Sequence, residues 1–241
     1  MTQAHAQAPS HFDLISFDLD GTLVDTAGEI AEAVNRALVE SGIGARPQEE
    51  ITLLIGNGLR ELAIRLLAQL LREQPALADR VDLEAVLARV DAHYTALVGS
   101  TAAPYPGAQR ALASLRAAGV RTACVTNKAG RYTEQLLVAT GLRQHLDLVL
   151  AGDSLAHKKP HASVLQTAAA RLGVPTERVA HVGDSRTDLD AARNAGVAAW
   201  AVPHGYNAGV PIADCAPQRL FADLSEVAAH VLASRAAALQ A

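Results

Sequence analysis

At 241 residues, half of them apolar, the chain has the length for one large domain or two modest ones around a sizeable core. A formal net charge of -4 excludes the basic field that draws in nucleic acid or an anionic membrane surface, so an anionic substrate must be held by local positive groups or a metal ion. No stretch approaches the roughly 18 uninterrupted apolar residues of a membrane span, and no basic segment followed by an apolar run opens the chain. Neither a membrane partner nor a secretory signal is expected. Cys124 and Cys215 form no C-x-x-C pair and no zinc spacing. They read as buried reduced thiols, which suits a reducing cytoplasm.

In chain order, residues 1–11 are expected to be loosely ordered. The apolar run Leu14-Ile15-Ser16-Phe17 breaks at Asp-Leu-Asp-Gly-Thr, the pattern of a buried strand ending in a turn. Residues 26–103 read as helical throughout. Leu59, Leu62, Ala63, Leu66, Leu67 and Leu70 stand at offsets 0, 3, 4, 7, 8 and 11, one apolar helix face. Val81 to Val98 is a second such stretch. From Tyr105 the pattern alternates. Ala108, Ala111, Leu112, Leu115 and Ala118 form a helical stripe that stops near Gly119. A strand over 120–125, a helix over 131–140, a strand over 146–151 and a helix over 162–172 follow. A strand over 179–182, a helix over 188–195 and a strand over 197–202 complete the series. Alternation of this kind predicts a doubly wound parallel sheet with helices on both faces. Residues 12–25 and 104–235 then form an α/β core, 26–103 a helical insertion, and 236–241 a loose tail.

Ligands of an open parallel sheet bind beyond the carboxyl ends of its strands. Four predicted strands end in, or lead to, polar residues: Asp18-Leu19-Asp20-Gly21-Thr22, Thr126-Asn127-Lys128, the loop Lys158-Lys159-Pro160, and Gly183-Asp184-Ser185 with Asp188 beyond. These residue types suit phosphoryl transfer. A carboxylate can attack phosphorus to form an aspartyl-phosphate, and Mg²⁺ on oxygen ligands offsets the repulsion between Asp18 and an anionic substrate. Asp18, Asp184 and the Asp20 carbonyl are the candidate ligands. Thr126 can donate to a phosphoryl oxygen, and Lys159 can place charge beside it. Asp20 can protonate the leaving alcohol and then activate water. Gly21 permits a tight turn and close approach to phosphate. The Thr187 hydroxyl is a candidate cap for the helix starting near Asp188. Taken singly, each motif also reads as a turn, an exposed loop charge or a helix N-terminus; what joins them is their order at successive strand ends.

On these residues the chain resembles the haloacid dehalogenase superfamily. Phe17-Asp18-Leu19-Asp20-Gly21-Thr22-Leu23-Val24-Asp25 is similar to its first motif, and Thr126, Lys159 and Gly183-Asp184-Ser185-x-x-Asp188 to the second, third and fourth. The resemblance implies a Rossmann-like core with a helical cap, a nucleophilic Asp18 and an acid/base Asp20. It also implies phosphate contacts from Thr126, Asn127 and Lys159, Mg²⁺ on Asp18, Asp20 and Asp184, and Asp188 just outside the ligand set.

A narrower resemblance is to bacterial phosphoglycolate phosphatases. It is carried by Ile55-Gly56-Asn57-Gly58, Tyr105-Pro106-Gly107, Val125-Thr126-Asn127-Lys128, Lys158-Lys159-Pro160-His161 and His204-Gly205-Tyr206-Asn207. Ala162 stands where that family usually has a second proline, which leaves the lysine untouched. The implied substrate is a small phosphate monoester, 2-phosphoglycolate, acted on by a monomer or homodimer. Asn57, Arg60 and Arg65 are candidates to read its carboxylate, although both arginines also read as helix-surface charges. His157, His161, His181 and His204 read as loop or core histidines rather than a metal cluster. Rival readings are a phosphosugar mutase or a phosphatase for another monoester on the same scaffold. A signalling receiver domain shares the phosphorylated Asp but is typically about half this length, without the insertion or the second acid. A dehalogenase has no use for Asp20 as an acid, and a binding module without catalysis would be missing a core residue.

Overall fold

The protein was described from a computed structural model, which covers residues 11–239. The expectations for residues 1–10 and for the last two positions lie outside the described residues. Two strands open the fold, β1 (Leu14–Phe17) and β2 (Val24–Asp25). Four helices follow: α1 (Ala27–Glu40), α2 (Gln48–Thr52), α3 (Leu59–Glu73) and α4 (Leu83–Leu97). The chain then alternates through β3 (Ala103–Pro104), α5 (Ala108–Ala117), β4 (Arg121–Val125), α6 (Gly130–Ala139) and β5 (Leu148–Leu150). It ends with α7 (Ser163–Leu172), β6 (Val179–Gly183), α8 (Arg186–Ala195), β7 (Ala198–Ala201), β8 (Arg219–Leu220) and α9 (Leu224–Ala238).

Six strands form one parallel sheet in the order β5-β4-β1-β6-β7-β8. The chain builds outward from β1 to β4 and β5, then crosses to β6 on the other side. The strand order therefore reverses between β1 and β6, where a doubly wound sheet opens a crevice at its carboxyl edge. Both strands are buried along their whole length, as expected for parallel strands covered on two faces. Buried apolar residues of α5 and α9 pack together with Trp200 and Phe221, while α7 and α8 join Leu14, Val125 and Leu150 in a second cluster.

The expected face of α3 is realised, with Leu62, Ala63, Leu66, Leu67 and Leu70 buried. The apolar faces of α1 and α4 close the same cluster. Truncating a fully buried leucine such as Leu66 costs about 2–5 kcal/mol. The four helices leave and rejoin the sheet through a two-stranded antiparallel pair, β2 with β3, in which Val24 faces Pro104 and Asp25 faces Ala103. Sequence patterning did not reveal this neck, because two-residue strands carry no periodicity. Nor did it reveal β8 or α9; the tail expected to loosen at Ala236 stays helical to Ala238. No helix among the described residues is long and apolar enough to cross a membrane. Both cysteines are free and buried.

Candidate active site

Asp18 follows β1 directly, and its N–H donates to Val182 O at 3.0 Å, so it stands at the reversal point of the sheet. Lys159 Nζ reaches Asp18 Oδ1 at 2.8 Å and Asp188 Oδ1 at 2.6 Å. The Leu19 N–H donates to Asp18 Oδ1 at 2.7 Å. Asp184, at the end of β6, accepts from the Thr22 hydroxyl at 2.6 Å and from the Tyr206 N–H at 2.5 Å. The backbone around it is close: a Cβ at Gly21, which has φ +83°, would lie 2.4 Å from Asp184 Oδ2, and one at Gly205 would lie 2.2 Å from it. Only glycine fits at either place.

Asp188 is the best supported of the acids. Its second oxygen takes the Ser185 hydroxyl at 2.5 Å and the Ser185 N–H at 3.1 Å. His181 Nε2 lies 3.2 Å from Oδ1, and His181 Nδ1 lies 2.9 Å from the Ser16 hydroxyl. A carboxylate only accepts, so the ring proton sits on Nε2 and the Ser16 hydroxyl donates to Nδ1. Ser16 and His181 are register partners on β1 and β6. The expectation that Thr187 caps the following helix is corrected here. The helix begins one turn-step earlier, at Arg186, with Ser185 as its cap residue and Asp188 bonded back to it.

The charges follow from this arrangement. Burial pushes the Asp18 carboxyl up, Lys159 pulls it back, and Asp188 raises it again, leaving it at about 6. Burial, with Asp188 and Asp18 nearby, pushes Asp184 well above the usual carboxylate range. For Asp188 burial also acts upward, but Lys159 and His181 outweigh it and hold the group far below that range. Burial holds His181 below the usual imidazole range. Asp18, Asp184 and Asp188 can each bring an oxygen to within 4.8 Å of the other two. Three hard oxygen donors, two of them short of positive charge, suit Mg²⁺ rather than a metal that favours nitrogen or sulfur.

Asp20 takes both its bonds from Lys128 Nζ, at 2.8 and 3.0 Å, and a third from the Thr26 hydroxyl at 2.8 Å. Lys128 is buried. Thr126 accepts from the Lys128 N–H at 3.2 Å, which leaves its own O–H to donate. The Asn127 amide is engaged by the protein. It accepts from the Lys159 N–H at 2.9 Å and donates to Lys159 O at 3.1 Å and Gly56 O at 3.0 Å. Asn127 thereby fixes Lys159 and ties it to the loop before α3. The chain adopts a cis peptide between Lys159 and Pro160.

A small, partly open cavity of about 30 Å³ lies between the sheet edge and the helices. Asp18, Asp20, Thr126, Asn127 and Lys128 line it from below, and Tyr94 with apolar residues of the helical segment from above. Arg60 and Arg65 are not brought to it. Arg60 is exposed and paired with Glu84 at 2.9 Å, and Arg65 lines a separate surface groove. Asn57 lies in an open cleft beside the cavity, and its carbonyl accepts from Lys158 Nζ at 2.6 Å. His157 and His161 stack on each other in the loop around Lys159, and His204 packs on Tyr105 and bonds Thr22 O at 3.1 Å.

Lys128, Thr22, Thr26, His181 and Tyr206 were given no role in the site from sequence, although all but Thr26 stand in the stretches quoted above or, for His181, among the histidines read as loop or core. Tyr206 joins two parts of the molecule. Its N–H holds Asp184, while its hydroxyl accepts from the first N–H groups of α1, Thr26 at 2.9 Å and Ala27 at 3.0 Å, and donates to Asp25. Lys128 had a usable signal, a lysine two residues past a strand-end threonine. The other four are ordinary small or aromatic residues whose roles depend on contacts distant in sequence.

Comparison with known proteins agrees with this geometry. Residues 15–202 match the family model described as haloacid dehalogenase-like hydrolase. The chain is 41% identical over 192 residues to a plasmid-borne phosphoglycolate phosphatase of Cupriavidus necator, covering 80% of this chain and 81% of the relative. It is 40% identical over 203 residues to the phosphoglycolate phosphatase of Nitrosospira multiformis, covering 83% and 88%. The crystal structure of a predicted phosphoglycolate phosphatase from Haemophilus somnus superimposes with a TM-score of 0.82 at 29% identity, covering 90% of this chain and 96% of that one. The acids at the ends of β1 and β6, the lysine between them and this breadth of match place the chain in the haloacid dehalogenase-like hydrolase family.

Proposed function

We propose that the protein is a Mg²⁺-dependent phosphomonoesterase that works through an aspartyl-phosphate on Asp18 and takes 2-phosphoglycolate, giving glycolate and phosphate. One observation carries the chemistry: Asp18 lies 2.8 Å from Lys159 Nζ and lines a small cavity together with Asp20 and Thr126. The substrate is supported by the names of the relatives that share most of this chain.

The residues divide the work. Asp18 attacks phosphorus, and Lys159 offsets charge on Asp18 and on the phosphoryl oxygens. The Thr126 O–H donates to one of those oxygens. Asp20, turned toward the same cavity by Lys128 and Thr26, passes a proton to the leaving alkoxide and takes one from the water that cleaves the aspartyl-phosphate. Asp18, Asp184 and the Asp20 carbonyl would hold Mg²⁺, which supplies positive charge that lets two anions approach. Thr22, Tyr206 and the glycine-lined backbone hold Asp184 for that purpose, and Asp188 anchors Lys159. The helices of 26–103 act as a cap that excludes water during turnover.

The test is phosphate release with Mg²⁺ from 2-phosphoglycolate beside a panel of sugar phosphates, nucleotides and other small monoesters. A kcat/KM for 2-phosphoglycolate at least roughly tenfold above every other compound is expected, about 1.4 kcal/mol of discrimination. A sugar phosphate at the top would overturn the substrate while leaving the Asp18 chemistry in place.

A further inference from the structure

We propose that the Tyr94 hydroxyl is the donor from the helical segment that binds the carboxylate of the substrate, so that this tyrosine separates a phosphorylated short hydroxy acid from a neutral monoester of the same length. The assignment rests on the phosphoglycolate reading and names the residue that would enforce it.

Tyr94, on α4, is 0% exposed, yet its hydroxyl proton finds no acceptor among the described residues; its polar neighbour is the Lys128 ammonium, which can only donate. A buried hydroxyl without a partner is destabilising, and such groups are rare in folded proteins. This one belongs to a residue lining the cavity that also holds Asp18, Asp20 and Thr126. The other residues that the helical segment turns to the cavity are apolar or glycine: Ile30, Ile55, Leu59, Leu62, Gly56 and Gly58. Tyr94 is therefore the polar side chain that this segment contributes to the cavity.

The ring is fixed. It meets Tyr132 edge-on with centroids 4.8 Å apart, and Lys128 Nζ lies 4.8 Å from its centroid. Burial pushes the phenol far above its ordinary range, so it stays an O–H donor. Its need for an acceptor matches a need of the substrate. Around the site the two ammonium groups of Lys128 and Lys159 are already committed to Asp20 and to Asp18 with Asp188. A second anionic group on the substrate thus lacks a cation of its own, and a neutral donor held in an apolar wall is what remains.

The experiment compares kcat/KM for 2-phosphoglycolate and for ethyl phosphate, with Mg²⁺, in the full chain and in Tyr94→Phe. Because the hydroxyl proton has no acceptor in the fold, the variant should melt close to the wild-type temperature. The expected result is a preference for 2-phosphoglycolate in the wild type that falls at least tenfold in Tyr94→Phe, chiefly through KM. A wild-type preference that survives in the variant overturns the Tyr94 assignment and leaves the substrate reading intact. A wild type that does not prefer 2-phosphoglycolate to ethyl phosphate overturns both.

Discussion

Two buried carboxylate sites in this molecule are built in opposite ways. Glu29, on α1, is 3% exposed and fully engaged. It accepts from the N–H groups of Gly99, Thr101 and Ala102 at 2.9, 2.6 and 2.8 Å, and so clamps the segment joining α4 to β3. Its protein donors leave no call for an ion. At the sheet edge, Asp18, Asp184 and Asp188 crowd within 4.8 Å of one another, and Asp18 and Asp188 share the ammonium of Lys159. Asp188 is satisfied, whereas Asp18 and Asp184 are held above the normal carboxylate range, chiefly by burial. A structural carboxylate is saturated by the fold; a functional one is left short of positive charge, which a cation and a reacting phosphate can then use.

Substitutions that treat the two sites alike should expose the difference. Asp18→Asn should lower kcat by at least about 10⁴-fold while the chain stays folded, as removal of a nucleophile does elsewhere. Asp20→Asn should instead trap labelled phosphoprotein from an activated aryl phosphate and release it about 10²- to 10⁴-fold more slowly. Wild-type release from that variant would remove Asp20 from the acid/base role.

Glu29→Ala should act on stability. It strands three buried N–H groups and should cost about 3 kcal/mol in urea unfolding, far more than it takes from catalysis by the folded fraction. A smaller loss than Asp18→Asn produces would mean that Glu29 is not the clamp its geometry describes. Mg²⁺ offers the reverse manipulation. At a hundredfold excess over its Kd it should stabilise the wild type by about 2.7 kcal/mol in thermal unfolding. Asp184→Ala should abolish that shift, and Glu29→Ala should retain it.

The smallest effect concerns pH in the metal-free protein. The folded chain keeps the Asp18 proton up to about 6, against an ordinary value of 3.8. Its contribution to stability is therefore complete below the lower value and is lost as pH rises through the higher one. The melting temperature of the wild type relative to Asp18→Asn should decline between about pH 4 and pH 6 and then level off. A difference that rises over that interval would contradict the charge arrangement derived for the site.

Much of this was legible in the residues themselves. Period-2 and period-3.6 patterns depend on neighbours a few positions apart, so the long helices and the central strands could be read directly. Asp18, Asp20, Thr126 and Asp184 could be grouped from sequence because each lies at or just beyond a strand end, and Lys159 because it stands in the loop that follows β5. The facing of Arg60 and Arg65 was not legible, because a helix position close to a glycine loop says nothing about which way the side chain points. In the structure neither lines the cavity: Arg60 lies in the open cleft beside it, paired with Glu84, and Arg65 lines a separate groove.

What the sequence by itself determined is the architecture and the grouping of candidate residues: alternation dictates a parallel doubly wound sheet, and the acids and lysine fall at its strand ends and in the loop after β5. Only the tertiary structure decided how those groups are charged and what faces them. Lys128 on Asp20, His181 on Asp188, Tyr206 between Asp184 and α1, and Tyr94 in the cavity are all contacts between residues far apart in the chain. Their effects depend on burial and on distances of a few ångströms, which local patterns do not encode.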